Sequence, residues 1–150
     1  MKKIKLFEPM LTKNQEVAII KVLKSKFWAS GSGDGKVLEF ENKFNNFVNA
    51  KNTIAVNSGT AALHLALSLA NIKNKEVILP SLSFVSTANA VLYNGGIPKF
   101  VDIDPKTLCL DPIQVNESLN KKTKVILPVH FGGLPAKLNQ FLKICKENNL

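Results

Sequence analysis

Three short stretches of this chain carry residue types suited to holding a ligand. The first is Asn57-Ser58-Gly59-Thr60-Ala61-Ala62, between the β-branched run Thr53-Ile54-Ala55-Val56 and an Ala/Leu-rich segment that reads as helix. A strand that turns through glycine into a helix start leaves backbone N–H groups without intrahelical partners. With the positive end of the helix dipole, those donors form a seat for a phosphate. Ser58 and Thr60 add hydroxyls, and Gly59 lets the backbone approach closely. The same residues also suit a plain helix cap, because Ser and Thr commonly cap helices. The second stretch, Pro80-Ser81-Leu82-Ser83-Phe84-Val85-Ser86-Thr87, sets an aromatic among hydroxyls just past a strand. The third is Pro128-Val129-His130-Phe131-Gly132-Gly133, a polar strand end. Phe84 also reads as a core residue, and His130 as a satisfied buried histidine. Taken together, a phosphate seat, a stacking aromatic and a polar strand end suit a phosphorylated planar cofactor.

The elements that must position these stretches follow from periodicity and punctuation. Thr12-Lys13-Asn14-Gln15 is a capping box, and Val17, Ile20, Leu23 and Phe27 follow at helical spacing, predicting a helix that ends near Lys26. A glycine-rich loop from Phe27 to Gly35 holds the only tryptophan, Trp28. A second helix is predicted over Lys36 to Val48, with its apolar residues on one stripe. From Thr53 the pattern alternates. Strands are predicted at Ile54–Val56, Glu76–Leu79 (stopped by Pro80), Ile97–Ile103 and Lys124–Val129. Helices are predicted at Ala61–Ala70, Ser86–Tyr93, a segment capped by Asp111 with Pro112 in its first position, and Ala136–Asn148. This order indicates an α/β fold, a mainly parallel sheet sandwiched by helices, whose ligands sit beyond the carboxyl ends of the strands. His64, inside the Ala/Leu helix, reads as structural. The amphipathic helix that ends at Leu150 stands where another strand is due, so a truncated chain is expected.

Composition removes several classes. At 150 residues and 45% hydrophobic content, the chain has the size and material for one domain with a core. Its 20 basic residues, all lysine, face 11 acidic ones for a formal charge of +9. Without arginine, and with lysines scattered and no interleaved aromatics, the charge reads as solvated surface and not as a nucleic-acid face. Cys109 and Cys145 match no metal or redox spacing, so no metal is expected. No stretch has the length of a membrane span, and the opening Met1 to Pro9 lacks the apolar run of a signal peptide, so a cytoplasmic protein is expected.

In this order the residues resemble the sugar aminotransferases of the DegT/StrS type, a branch of the fold type I pyridoxal-phosphate enzymes. The likeness rests on Trp28 with Gly31, Phe40-Glu41, Val56 through His64, Glu76 through Ser81, Phe84 through Ala90, Phe100 through Asp104, Asp111-Pro112, and Val129-His130 with Gly132. Asn74-Lys75-Glu76 departs from the family's usual Gly-Asp-Glu. The resemblance implies pyridoxal 5'-phosphate as cofactor, with phosphate contacts at Gly59, Thr60 and Ala61 and the aromatic over the pyridine ring at Phe84. It adds Ser58 near the phosphate and Thr87 at the ring edge. It also places Trp28, Gly31 and His130 beside substrate. Residues from about 1 to 50 would form a helical segment leading into an incomplete cofactor-binding large domain, about 51 to 150.

The resemblance further implies transfer of an amino group from an amino acid, typically glutamate, to a nucleotide-linked keto-sugar for polysaccharide or amino-sugar synthesis, by a homodimer. No catalytic residue is assigned within the chain: the Schiff-base lysine and the aspartate that pairs with the pyridine nitrogen fall beyond residue 150, so the chain alone is expected to be inactive. Two alternatives stay open, a pyridoxamine-phosphate-dependent sugar dehydratase of the same family and a non-catalytic truncated remnant. A nicotinamide-dependent oxidoreductase is disfavoured, since no strand leads into a Gly-x-Gly-x-x-Gly turn.

Overall fold

A computed structural model describes residues 4–5, 8–28 and 35–150. The chain divides into two units, Met1–Ala55 and Val56–Leu150.

In the first unit, helix α1 spans Lys13–Ser25 and α2 spans Lys36–Val48. The capping box at α1 forms as its sequence requires: the Thr12 hydroxyl accepts from the Gln15 N–H, and the Gln15 side chain accepts from the Thr12 N–H at 2.8 Å. Lys26 closes the helix in the left-handed conformation. Gly35 precedes α2 with φ 103°, where a side chain would be strained and its Cβ would strike the Phe27 ring. On α2, hydrogen bonds from Lys36 and Lys43 hold the Glu39 carboxyl down to about 2. The strand expected at Ile54–Val56 does not form. Its residues enter no sheet, and the Ala55 N–H donates to the Glu41 carboxylate at 2.8 Å. A β-branched run becomes a strand only where a neighbouring backbone offers a ladder, and among the described residues none does.

The second unit holds a three-stranded parallel sheet in the order β2-β1-β3, from strands β1 (Glu76–Pro80), β2 (Ile97–Val101) and β3 (Thr123–Ile126). Helices α3 (Gly59–Ser68), α4 (Ser86–Tyr93), α5 (Pro112–Ser118) and α6 (Leu138–Asn148) accompany it, with a 3₁₀ turn at Phe131–Gly133. Successive side chains of β1 point to opposite faces. Val77 packs with Leu67, Ala90 and Val91 from α3 and α4, whereas Ile78 packs with Val115, Phe141 and Ile144 from α5 and α6. The sheet is therefore covered on both faces, as the alternation predicts.

The strand ends are shorter or longer than expected because register sets them. Pro80 belongs to β1, paired with Val101. Its missing N–H falls past Ile78–Ile126, the last registered pair with β3, so no ladder bond is forfeited there. With β1 finished, β2 and β3 also end early. Ile103 instead forms an antiparallel bridge to Leu110. At the strand starts, Asn74 sits at φ 59° and its N–H donates to the Gly95 carbonyl at 2.8 Å. Asparagine tolerates this conformation, which explains why the departure from glycine there leaves the turn intact. Burial disfavours the Glu76 charge, yet hydrogen bonds from Asn120 and Lys99 outweigh it and hold the carboxyl below its usual range.

Candidate functional site

Helix α3 begins two residues earlier than periodicity predicts, because Ser58 caps it. The Ser58 hydroxyl accepts from the Ala61 N–H at 3.1 Å, and the Ser58 carbonyl from the Ala62 N–H at 3.1 Å. Of the three amides expected to face a phosphate, Ala61 is thus occupied by the cap. The N–H groups of Gly59 and Thr60 have no partner among the described residues. A cap and an anion seat coexist here, because capping satisfies only part of a helix start. A Cβ built on Gly59 meets nothing within 4 Å, and its φ lies outside the left-handed range. Neither backbone strain nor crowding within the chain demands this glycine. Open space above two unpartnered amides fits a bound phosphate.

Phe84 follows β1 and is 76% exposed, so the core reading of this residue does not hold. Its ring has no aromatic partner among the described residues, which leaves a face available for stacking. Thr87, expected at a ring edge, is buried at 6% exposure, and its hydroxyl lies 2.7 Å from that of Ser83. No motif singled out Ser83. The signal was the pair of hydroxyls four residues apart, at the spacing that brings side chains together at a helix start.

Gly59 and Phe84 lie toward the same end of the sheet. Near the far ends of α3 and α4, the His64 and Tyr93 rings meet edge to face at 5.9 Å, and the Asn94 amide donates to the His64 carbonyl at 3.1 Å. This contact gives His64 the structural role its position suggests. Both helices run toward Asn94, so their starts point toward the end where β1 finishes. A separate cavity of about 580 Å³ opens at the strand starts, lined by Lys75, Thr123 and Lys124 among others, away from every candidate residue.

His130 is exposed at the end of β3, and its Nδ1 accepts from the Ala136 N–H at 3.0 Å. That bond requires an unprotonated Nδ1 and ties the loop before α6, which is why α6 starts at Leu138 and not at Ala136. The same loop is held by the Lys137–Asp104 ion pair at 3.0 Å. Trp28 belongs to the first unit, where its indole N–H donates to the Leu23 carbonyl at 3.3 Å and its ring is exposed. Gly31 lies outside the described residues.

The model of the DegT/DnrJ/EryC1/StrS aminotransferase family matches residues 9–150. The chain belongs to this family. Among its DegT-family relatives, it is similar to the spore coat polysaccharide biosynthesis protein SpsC of Bacillus subtilis, 38% identical over 143 residues, covering 95% of this chain and 36% of that protein. It is likewise similar to the GDP-perosamine synthase of Caulobacter vibrioides, 36% identical over 149 residues, covering 99% of this chain and 40% of that one. The chain therefore spans well under half the length of these relatives. A solved structure of NtdA from Bacillus subtilis with bound cofactor PMP superposes with TM-score 0.81 at 34% identity, covering 93% of this chain and 33% of that one.

Proposed function

We propose that the protein carrying this chain is a pyridoxal 5'-phosphate-dependent transaminase. It moves an amino group from an amino acid, glutamate first, to a nucleotide-linked keto-sugar for polysaccharide or amino-sugar synthesis. The observation that supports this most directly is the unpartnered Gly59 and Thr60 amides beneath open space, in a family member whose Phe84 ring stands unpacked toward the same sheet end. When bound, the cofactor supplies an electron sink for bond breaking at the amino carbon. The chain's own part is binding and orientation. Gly59, Thr60 and the Thr60 hydroxyl hold the phosphate, Ser58 and Ala61 fix the helix start that presents it, and Phe84 covers the ring and excludes water from one face.

In the same reading, Thr87 serves the ring side, and Trp28, Gly31 and His130 contact substrate. Residues 1 to about 50 lead into a large domain of which about 51–150 is one part. The working protein is a cytoplasmic homodimer. The test is incubation of the full-length protein with pyridoxal phosphate and ¹⁵N-glutamate, then with a nucleotide-linked 4-keto-sugar, followed by mass spectrometry. Transfer of ¹⁵N to the sugar is the expected result. Loss of water from the sugar with no nitrogen gained would replace transamination with dehydration, and no reaction together with no cofactor binding would leave a non-catalytic protein.

A further inference from the structure

We infer that Ser83 and Thr87 form a clamp that positions Phe84, so that Thr87 serves the cofactor through the aromatic ring and not by touching it; this rests on the reading of Phe84 as the ring that covers pyridoxal phosphate. Phe84 is 76% exposed, so packing does little to orient it. Its place is set by the backbone turn that carries it, and three bonds hold that turn. The Ser83 N–H donates to the Ser81 carbonyl at 2.9 Å, and the Thr87 N–H donates to the Phe84 carbonyl at 3.0 Å. The two hydroxyls, on either side of Phe84, meet at 2.7 Å. The first two bonds are available to any sequence that adopts the turn. The third depends on side chains and joins the residue just before Phe84 to the first turn of α4.

Thr87 is 6% exposed, and a hydroxyl so deeply buried is satisfied by a partner. Ser83 is that partner, half-buried at the outer end of the pair. A direct contact from Thr87 to a ring edge would need this hydroxyl in the open. Stacking depends on ring position to within about an ångström, and small displacements of a positioning group are costly to the bound geometry. The clamp therefore acts on how the cofactor is held rather than on whether the domain folds.

The experiment uses the full-length protein with pyridoxal phosphate as probe, reading its dissociation constant and the visible circular dichroism induced in the bound cofactor. Thr87→Val, which keeps the shape and removes the hydroxyl, is expected to weaken binding roughly three- to tenfold, the loss of one hydrogen bond's contribution, and to reduce the induced signal. Ser83→Ala breaks the same pair from the more open side and should act in the same direction, while Thr87→Ser should restore both readouts. In a Phe84→Ala background, Thr87→Val should cost nothing further, because a residue acting through Phe84 has nothing left to position. A full additional loss there, or wild-type behaviour of both Thr87→Val and Ser83→Ala, overturns the clamp while leaving the stacking role of Phe84 standing. Wild-type affinity and signal in Phe84→Ala itself overturns the stacking role and the clamp with it.

Discussion

The two units of this chain reach their helices by different means. In Met1–Ala55, no described residue of α1 or α2 is buried, although Ile20, Leu23, Phe40 and Phe44 form apolar stripes. These helices rest on local devices: a capping box, left-handed C-caps and lysine–glutamate pairs one turn apart. In Val56–Leu150, the helices enclose a sheet whose Val77, Ile78 and Leu79 are essentially inaccessible. Each such side chain contributes about 1.5–3 kcal/mol by leaving water. Local signals can place a helix; burial decides what it is worth.

The contrast can be tested by matched substitutions. The largest effect is expected at Ile78→Ala, which should destabilise Val56–Leu150 by about 2–5 kcal/mol. Ile20→Ala, on the exposed stripe of α1, should cost less than about 0.5 kcal/mol. Urea denaturation followed by circular dichroism reads both. Equal losses would break the contrast and mean that another surface covers α1 in solution.

Two glycines sharpen the comparison within the second unit. A Cβ on Gly96 would lie 2.9 Å from both Ile72 Cδ1 and Val91 Cγ1, so Gly96→Ala should cost about 1–3 kcal/mol through overpacking. Gly59→Ala meets open space and gains helix propensity, so it should raise stability by up to about 1 kcal/mol. It should also weaken pyridoxal phosphate binding by filling the space over the amides. Thermal unfolding beside a cofactor titration separates these outcomes; a Gly59→Ala protein that binds normally would remove the phosphate from that seat.

The smallest effect concerns Asp104. The Lys106 N–H first, and the Lys137 ammonium next, hold its carboxyl below the ordinary value of 3.8. A depressed carboxylate adds stability that is complete above the ordinary value and is lost as pH falls through the lower folded one. Lys137→Gln should therefore move the Asp104 titration upward, as read by NMR, and flatten the loss of stability below about pH 4. An unmoved titration would mean that solvent screens the exposed pair completely.

How far the sequence reached depends on how local each signal was. Thr12 and Gln15, Asp111 and Pro112, and the bounds of Ser86–Tyr93 were all legible, because the responsible groups lie within a few residues of one another. The Gly59 turn was legible for the same reason, although the division of its amides between the Ser58 cap and open space was not. Strand lengths were misjudged wherever the partner strand ended first, as at Ile103 and Val129. The Ile54–Val56 run was misassigned because strand propensity cannot report whether a neighbour is present.

By itself, then, the sequence determined the helices, their caps, the α/β order and the family, all carried by contiguous residues and their spacing. Only the tertiary structure decided that Phe84 stands exposed while Thr87 turns inward to Ser83, that His130 spends Nδ1 on the Ala136 amide, and that Pro80 completes a strand instead of stopping it. Each of these depends on which side of an element meets the core, and on which distant backbone lies in register with it. Chain order alone does not contain that information.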